Sequence, residues 1–299
     1  MSRAEPVYPP LVMPEGVTRK TVTIWSDGVA LDADIYRSSA GSSSAPAVVL
    51  CHGWGGSKLT CERHAAKFAA AGMITLSFTQ ASWFGSAARP WSSPSSTVQI
   101  LRELVDPADW IQNFLAAIDY IEGETGVDVS RIGAWGTSFG GGIAMHCAAN
   151  DPRIRALSVQ VANVAPLAGP LRAHAQQRAI TLARGSYDPL AEGFDTIPGL
   201  AGIGNLAKWT QYDPIGQLDR LDVPTLMMDA GNEEMFSIAE NAGRASEILK
   251  AKPNQISHYE IIPGIDHYGI YFDGYEQSSL MALDWFQRHL GSTAQEHTS

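Results

Sequence analysis

Gly136-Thr137-Ser138-Phe139-Gly140 is a G-x-S-x-G string, a serine with a glycine two positions to either side. A serine hydroxyl is a weak nucleophile until a neighbouring base takes its proton, and the charge that then develops needs fixed donors. The apolar run Arg131 to Trp135 before the string reads as a strand, and Phe139 to Ala149 after it reads as a helix. A serine between the two sits in a sharp, strained turn for which the flanking glycines leave room. Its Oγ is expected to project above a sheet at a helix N-terminus, where the dipole favours negative charge.

Eight histidines are candidates for the base. His267 stands out because Pro263-Gly264-Ile265-Asp266-His267-Tyr268-Gly269 follows the last strand pattern and leads to the last helix, at the same sheet edge as Ser138. His146, inside a helix beside Cys147, reads as a packed residue, and His64, His174, His258 and His289 read as solvated. The second ring nitrogen of the base needs a carboxylate to fix its tautomer. Asp229 closes the strand Pro224 to Asp229, Glu233 lies in the turn after it, and Glu234 falls in the first turn of a helix expected from Phe236; all three stay open on position alone. Cys51-His52-Gly53-Trp54-Gly55-Gly56 follows the third strand, and its glycines let the main chain pass close to the nucleophile. The backbone N–H groups of Trp54 and Phe139 are therefore the expected oxyanion donors, with His52 bracing the loop. A zinc site at Cys51, His52, Cys61 and His64 is disfavoured because the second pair falls inside an amphipathic helix. Gly56-Ser57-Lys58 lacks the ending of a phosphate loop.

The elements that must position these groups alternate between strand and helix, which predicts an α/β sheet. Thr21 to Trp25 and Val29 to Tyr36 form a hairpin around Asp27-Gly28. Further strands are expected at Ala47 to Cys51, Met73 to Phe78, Arg131 to Trp135, Ala156 to Val161, Pro224 to Asp229 and Ser257 to Ile262. Helices are expected at Cys61 to Ala71, Ala108 to Glu122 behind an Asp106 cap and Pro107, Phe139 to Ala149, Ser237 to Lys250 and Gln277 to His289. Two stretches break the alternation: the Ser-, Pro- and Trp-rich loop Gln80 to Thr97, and a lid-like insertion at about 163–222. The prediction is a single domain over 1–299 with flexible ends at 1–18 and 291–299.

Composition narrows the functional classes. The chain is 45% hydrophobic and 17% charged, and its net charge of -10 opposes binding to a phosphate backbone, so no nucleic acid partner is expected. No run reaches the roughly 18 to 20 apolar residues of a membrane span, and MSRAEPVYPP lacks the apolar core of a secretory signal. With three cysteines in apolar surroundings, a cytoplasmic location is expected.

Ser138, a later acid and His267 follow one another in the order nucleophile, acid, histidine. With HGWGG, Asp106-Pro107 before a helix bearing Trp110, RIGAWGTSFGG and PGIDHYGIY, the chain resembles the α/β-hydrolase superfamily over about residues 20–290. Within it the chain looks like the dienelactone-hydrolase-like group, which includes hydrolases and acyltransferases of polyketide pathways. The resemblance implies an α/β-hydrolase fold of about eight strands and a serine acyl-enzyme mechanism without metal or cofactor. It favours Glu233 as the acid, although Asp is commoner there. Dehalogenases of this fold carry Asp at the elbow, which Ser138 argues against. Many relatives have Asp-Tyr-Arg-Gly after the fourth strand, whereas here Phe78 is followed by Thr79-Gln80-Ala81-Ser82-Trp83-Phe84-Gly85. This rebuilt loop either brings Trp83, Phe84 and Trp91 to an apolar substrate pocket beside Ser138 or packs them onto the body. The expected function is hydrolysis of a small-molecule carboxylic ester, lactone or thioester. Acyl transfer from the same intermediate, or binding without turnover, are the alternatives, and a homo-oligomer is compatible with either.

Overall fold

Asp27 and Gly28 both take left-handed backbone, φ 51° and 81°, in the tight turn that joins β1 (Val17–Ser26) to β2 (Val29–Ser38). The pair runs antiparallel in unbroken register from Val17 opposite Ser38 to Ser26 opposite Val29. In this computed structural model, residues 8–291 are described apart from 93, 96–97 and 198. The hairpin opens an eight-stranded sheet completed by β3 (Ala45–Cys51), β4 (Ile74–Phe78), β5 (Val127–Thr137), β6 (Ile154–Gln160), β7 (Thr225–Ala230) and β8 (Ser257–Ile262). Its order is β1-β2-β4-β3-β5-β6-β7-β8, antiparallel as far as β2·β4 and parallel from β4 onwards. All strand carboxyl ends of the parallel part therefore meet at one edge.

Five longer helices cover the sheet, α1 (Lys58–Ala70), α2 (Pro107–Glu122), α3 (Phe139–Asn150), α5 (Ala242–Ala251) and α6 (Tyr275–Leu290), while α4 (Gly169–Ala183) packs on the Leu206–Trp209 turn away from it. Alternation along β3 sends Val49 and Cys51 into one core with Trp110 and Phe114 of α2 and Ile143 of α3. Val48 and Leu50 enter the other core, with Phe68 of α1 and Phe286 of α6. A parallel sheet covered on both faces requires such strands to be apolar throughout, which is why their sequences read as continuous runs. Asp106 caps α2, its carboxylate accepting from the N–H groups of Ala108 at 3.0 Å and Asp109 at 3.2 Å, with Pro107 in the first position.

Three expectations are corrected. The helix expected from Ser237, or from Phe236 after Glu234, begins only at Ala242. Asn241 ends the turn before it, accepting from the N–H groups of Val164 and Ala165 and donating to the Ser237 carbonyl, so residues 237–241 are bonded outside any helix. Val17 and Thr18, expected within a flexible end, open β1, and Leu11 and Met13 pack against the α1–α6 core. Residues 1–7 and 292–299 of the expected flexible ends lie outside the described residues. His64, expected to be solvated, is 1% exposed, with its ring 4.5 Å from that of Trp135.

The 163–222 segment leaves the sheet after β6. It contains α4, short helical turns at Pro189–Glu192, Leu206–Trp209 and Ile215–Arg220, and a two-residue strand, Ile203–Gly204, paired with Leu104–Val105. Among the described residues no helix is long and apolar enough to cross a membrane.

Candidate active site

Ser138 lies between β5 and α3 with φ 54° and ψ -127°, a conformation that costs a non-glycine residue about 1–3 kcal/mol. Its neighbours are spaced to permit it. A Cβ on Gly140 would strike the His52 carbonyl, one on Gly136 would strike the Gly140 carbonyl, and one on Gly53 would come within 2.8 Å of the Ser138 Cβ. The β3 loop and the serine turn are thus pressed together, main chain against main chain. Among the described residues neither the Trp54 nor the Phe139 backbone N–H has a hydrogen-bond acceptor, and both residues flank this contact.

His267 follows β8 and reaches back to the serine. Its Nε2 is 3.1 Å from Ser138 Oγ, while Nδ1 lies 2.7 and 2.9 Å from the two carboxylate oxygens of Glu233. The His267 and Glu233 side chains are 4% and 2% exposed. Glu233 is itself oriented, since Oε1 accepts the Met235 N–H at 2.9 Å. The neighbouring Glu234 accepts the His267 backbone N–H at 2.9 Å, so two consecutive carboxylates hold the same histidine by ring and by main chain. Glu234, expected to be a solvated first-turn residue, is exposed but engaged.

Asp229, the other carboxylate considered, lies one residue before the end of β7 and bonds elsewhere. It is fully buried and accepts from the Tyr259 hydroxyl of β8 at 2.9 Å. Burial, reinforced by the nearby Glu233 charge, pushes its carboxyl up to about 7. Its other oxygen has no partner among the described residues.

His52 is the brace expected of it. Its Nδ1–H donates to the Gly53 carbonyl at 2.7 Å and its Nε2 accepts the Gln80 N–H at 3.0 Å, which defines a neutral tautomer; burial pulls the imidazole down to about 4. Gln80 continues the network to Cys51 Sγ and to Asn113. His174 and His258 are exposed, His146 bonds Gln217, and His289 is half-buried against Trp285, where burial and the Arg288 charge lower its affinity for a proton.

One cavity adjoins the serine and a second adjoins the first. A small one of about 20 Å³ is lined by Ser138, His267, Gly53, Met235 and Tyr271 among others. A larger one of about 800 Å³ shares Tyr8, Trp54, Leu200 and Tyr268 with it and includes Trp83 and Phe84. Trp83 is only 4% exposed, its indole N–H donating to the Leu104 carbonyl, whereas Phe84 stands at the rim, 78% exposed. Trp91 lines neither cavity and packs edge-on against Phe194. Sequence reasoning missed Met235, Tyr268 and Tyr271, although the last two stand in the PGIDHYGIY motif itself.

The pattern of the dienelactone hydrolase family matches residues 31–173. Among curated relatives, the quorum-quenching protein AidA of Acinetobacter baumannii is 32% identical over 136 residues, 45% of this chain and 41% of that protein. The thiohydrolase aneE of Aspergillus aculeatus is 29% identical over 130 residues, 43% of this chain and 36% of that one. The chain thus spans less than half the length of these relatives. The structure of the α/β hydrolase GrgF from Penicillium sp. sh18 superposes with a TM-score of 0.70 at 17% identity, covering 92% of this chain and 100% of that one. The sheet order is that of the α/β-hydrolase fold seen in the GrgF structure, and residues 31–173, just under half of the chain, match the dienelactone hydrolase family.

Proposed function

We propose that the protein is a serine hydrolase that cleaves a carboxylic ester, lactone or thioester through an acyl-enzyme. The observation that carries this reading is the relay from Glu233 through both nitrogens of His267 to Ser138 Oγ. Glu233 accepts a hydrogen bond from Nδ1–H, so Nε2 is left free to take the serine proton as Oγ attacks the carbonyl carbon. The carbonyl oxygen gains the negative charge and is received by the N–H groups of Trp54 and Phe139. Collapse of this intermediate expels the alcohol or thiol, protonated by His267. Water then attacks the acyl-serine with the same base, returns the acid product and restores the serine.

The serine turn opens through the small cavity into the larger one, which reaches the surface at Phe84, and this access to solvent supports water over a second alcohol or amine as acceptor. Leu200 and Ala201 of the 163–222 insertion form part of the cavity wall, which supports the lid role for that segment. The name of the relative aneE favours including thioesters among the first substrates tried.

Rapid mixing with p-nitrophenyl esters is expected to give a burst of one nitrophenolate per chain, and a fluorophosphonate should label Ser138. Ser138→Ala should lose both. A chain that stays unlabelled and turns over no ester would leave a binding protein on a hydrolase fold, and unchanged turnover in Ser138→Ala would refute the assignment outright.

A further inference from the structure

The larger cavity carries a charge pattern that the small one lacks. Among the described residues its walls hold the aromatic rings of Tyr8, Trp54, Trp83, Phe84 and Tyr268, two carboxylates, Glu62 and Glu103, and no Lys, Arg or His. Glu62 is largely covered and faces Arg19 at 3.4 Å. Glu103 is exposed, and no ion pair among the described residues includes it. Its main chain is nevertheless fixed: φ is 56°, its N–H donates to the Ser82 carbonyl, and its carbonyl accepts the Ile203 N–H. Nearby positive groups are committed elsewhere, Arg102 to the Ser86 carbonyl and Lys58 to Asp32 and Asp34. A cation entering this cavity meets aromatic faces and an uncompensated carboxylate. An anion meets the same negative surfaces with no basic side chain to offset its lost hydration.

We propose that this cavity seats the part of the substrate remote from the scissile carbonyl, selecting an ammonium-bearing group over a neutral one and rejecting an anionic one. The proposal rests on the hydrolase reading of Ser138 and narrows it to a substrate class. Carboxylate-bearing esters and thioesters of phosphate-bearing carriers fall outside that class.

Two sets of three isosteric esters test it. In one the acyl chain of a p-nitrophenyl ester ends in trimethylammonium, tert-butyl or carboxylate; in the other the same groups are carried by the alcohol of an acetate. In whichever set occupies the cavity, kcat/KM for the cation should exceed that for the neutral ester by about 3- to 10-fold and that for the anion by about 100-fold at low salt. In Glu103→Gln the cation-to-neutral ratio should fall towards one, and Glu103→Lys should invert the order of cation and anion. Equal rates across both sets would overturn the proposal while leaving the hydrolase intact. Calorimetry with benzyltrimethylammonium on Ser138→Ala separates the two readings. If no ester is cleaved but the ammonium binds, and binds less well once Glu103→Gln is added, the hydrolase reading fails and the cavity assignment stands. Absence of ammonium binding to a folded Ser138→Ala chain refutes the cavity assignment.

Discussion

Glu233 offers both carboxylate oxygens to His267 and one of them also to the Met235 N–H, so its carboxylate has little rotational freedom. Glu233→Gln keeps the size but offers an amide to a ring N–H, and kcat is expected to fall by about 10³–10⁴ with the melting temperature nearly unchanged. Asp229→Asn should keep most of the activity, since Asp229 is tied to Tyr259 and not to the histidine. Its effect belongs to stability. The folded carboxyl is raised by burial to about 7 from an ordinary 3.8, so the folded state holds a proton that the unfolded chain releases. Stability should therefore fall as pH rises from about 4 to about 7, by about 2–4 kcal/mol in all, and stay low above that range. Asp229→Asn should flatten this fall, with wild type and variant alike at pH 4 and the variant more stable at pH 8 in urea titrations. Equal pH slopes for the two proteins would show that Asp229 ionises normally. The meeting of Ser138 with His267 was legible in the sequence because each sits in a short string with a strand before it. Glu234 was not, because its partner is a main-chain N–H 33 residues away. His64 shares a helix face with Cys61, Ala65 and Phe68, all buried, and that spacing was the available sign that it faces the core.

At the scale of elements, strands were legible to within a few residues because a doubly covered parallel sheet needs uninterrupted apolar runs. The start of α5 was hidden because Asn241 bonds Val164 and Ala165 in another part of the chain, a long-range contact that helical periodicity cannot announce. Within residues 163–222 the short turns are held by contacts to other segments, which local sequence does not announce. One is the bond from the Trp54 indole N–H to the Ala201 carbonyl. Trp54→Phe keeps the ring packing against Phe139 and Trp209 but removes that bond, worth about 1 kcal/mol. Limited proteolysis near residues 199–201 should accelerate severalfold while global unfolding in urea shifts little; unchanged cleavage would mean that other contacts hold the segment.

Across the whole molecule, the sheet separates two cores with different duties. The α1–α6 side packs Phe286 against Phe68, and Gly133 of β5 lies so close that an added Cβ would meet Phe286 within 2.9 Å. Phe286→Ala should cost about 3–5 kcal/mol, yet kcat per folded molecule should stay near wild type, because the site is built from loops at the carboxyl edge of the sheet. Activity normalised to the folded fraction checks this, and a matching drop in kcat would show that the site is coupled to that core.

Trp54 joins two tasks that many catalysts keep apart. In the proposed mechanism its main-chain N–H receives the oxygen on which charge collects, while its side chain grips the segment that walls the larger cavity. Selection for a bulkier substrate through residues 199–201 would therefore tilt the same residue that offers the charge-receiving N–H. Breadth and turnover become opposed directions in a directed-evolution campaign, and variants that recover both should carry a second change that re-anchors the Trp54 indole.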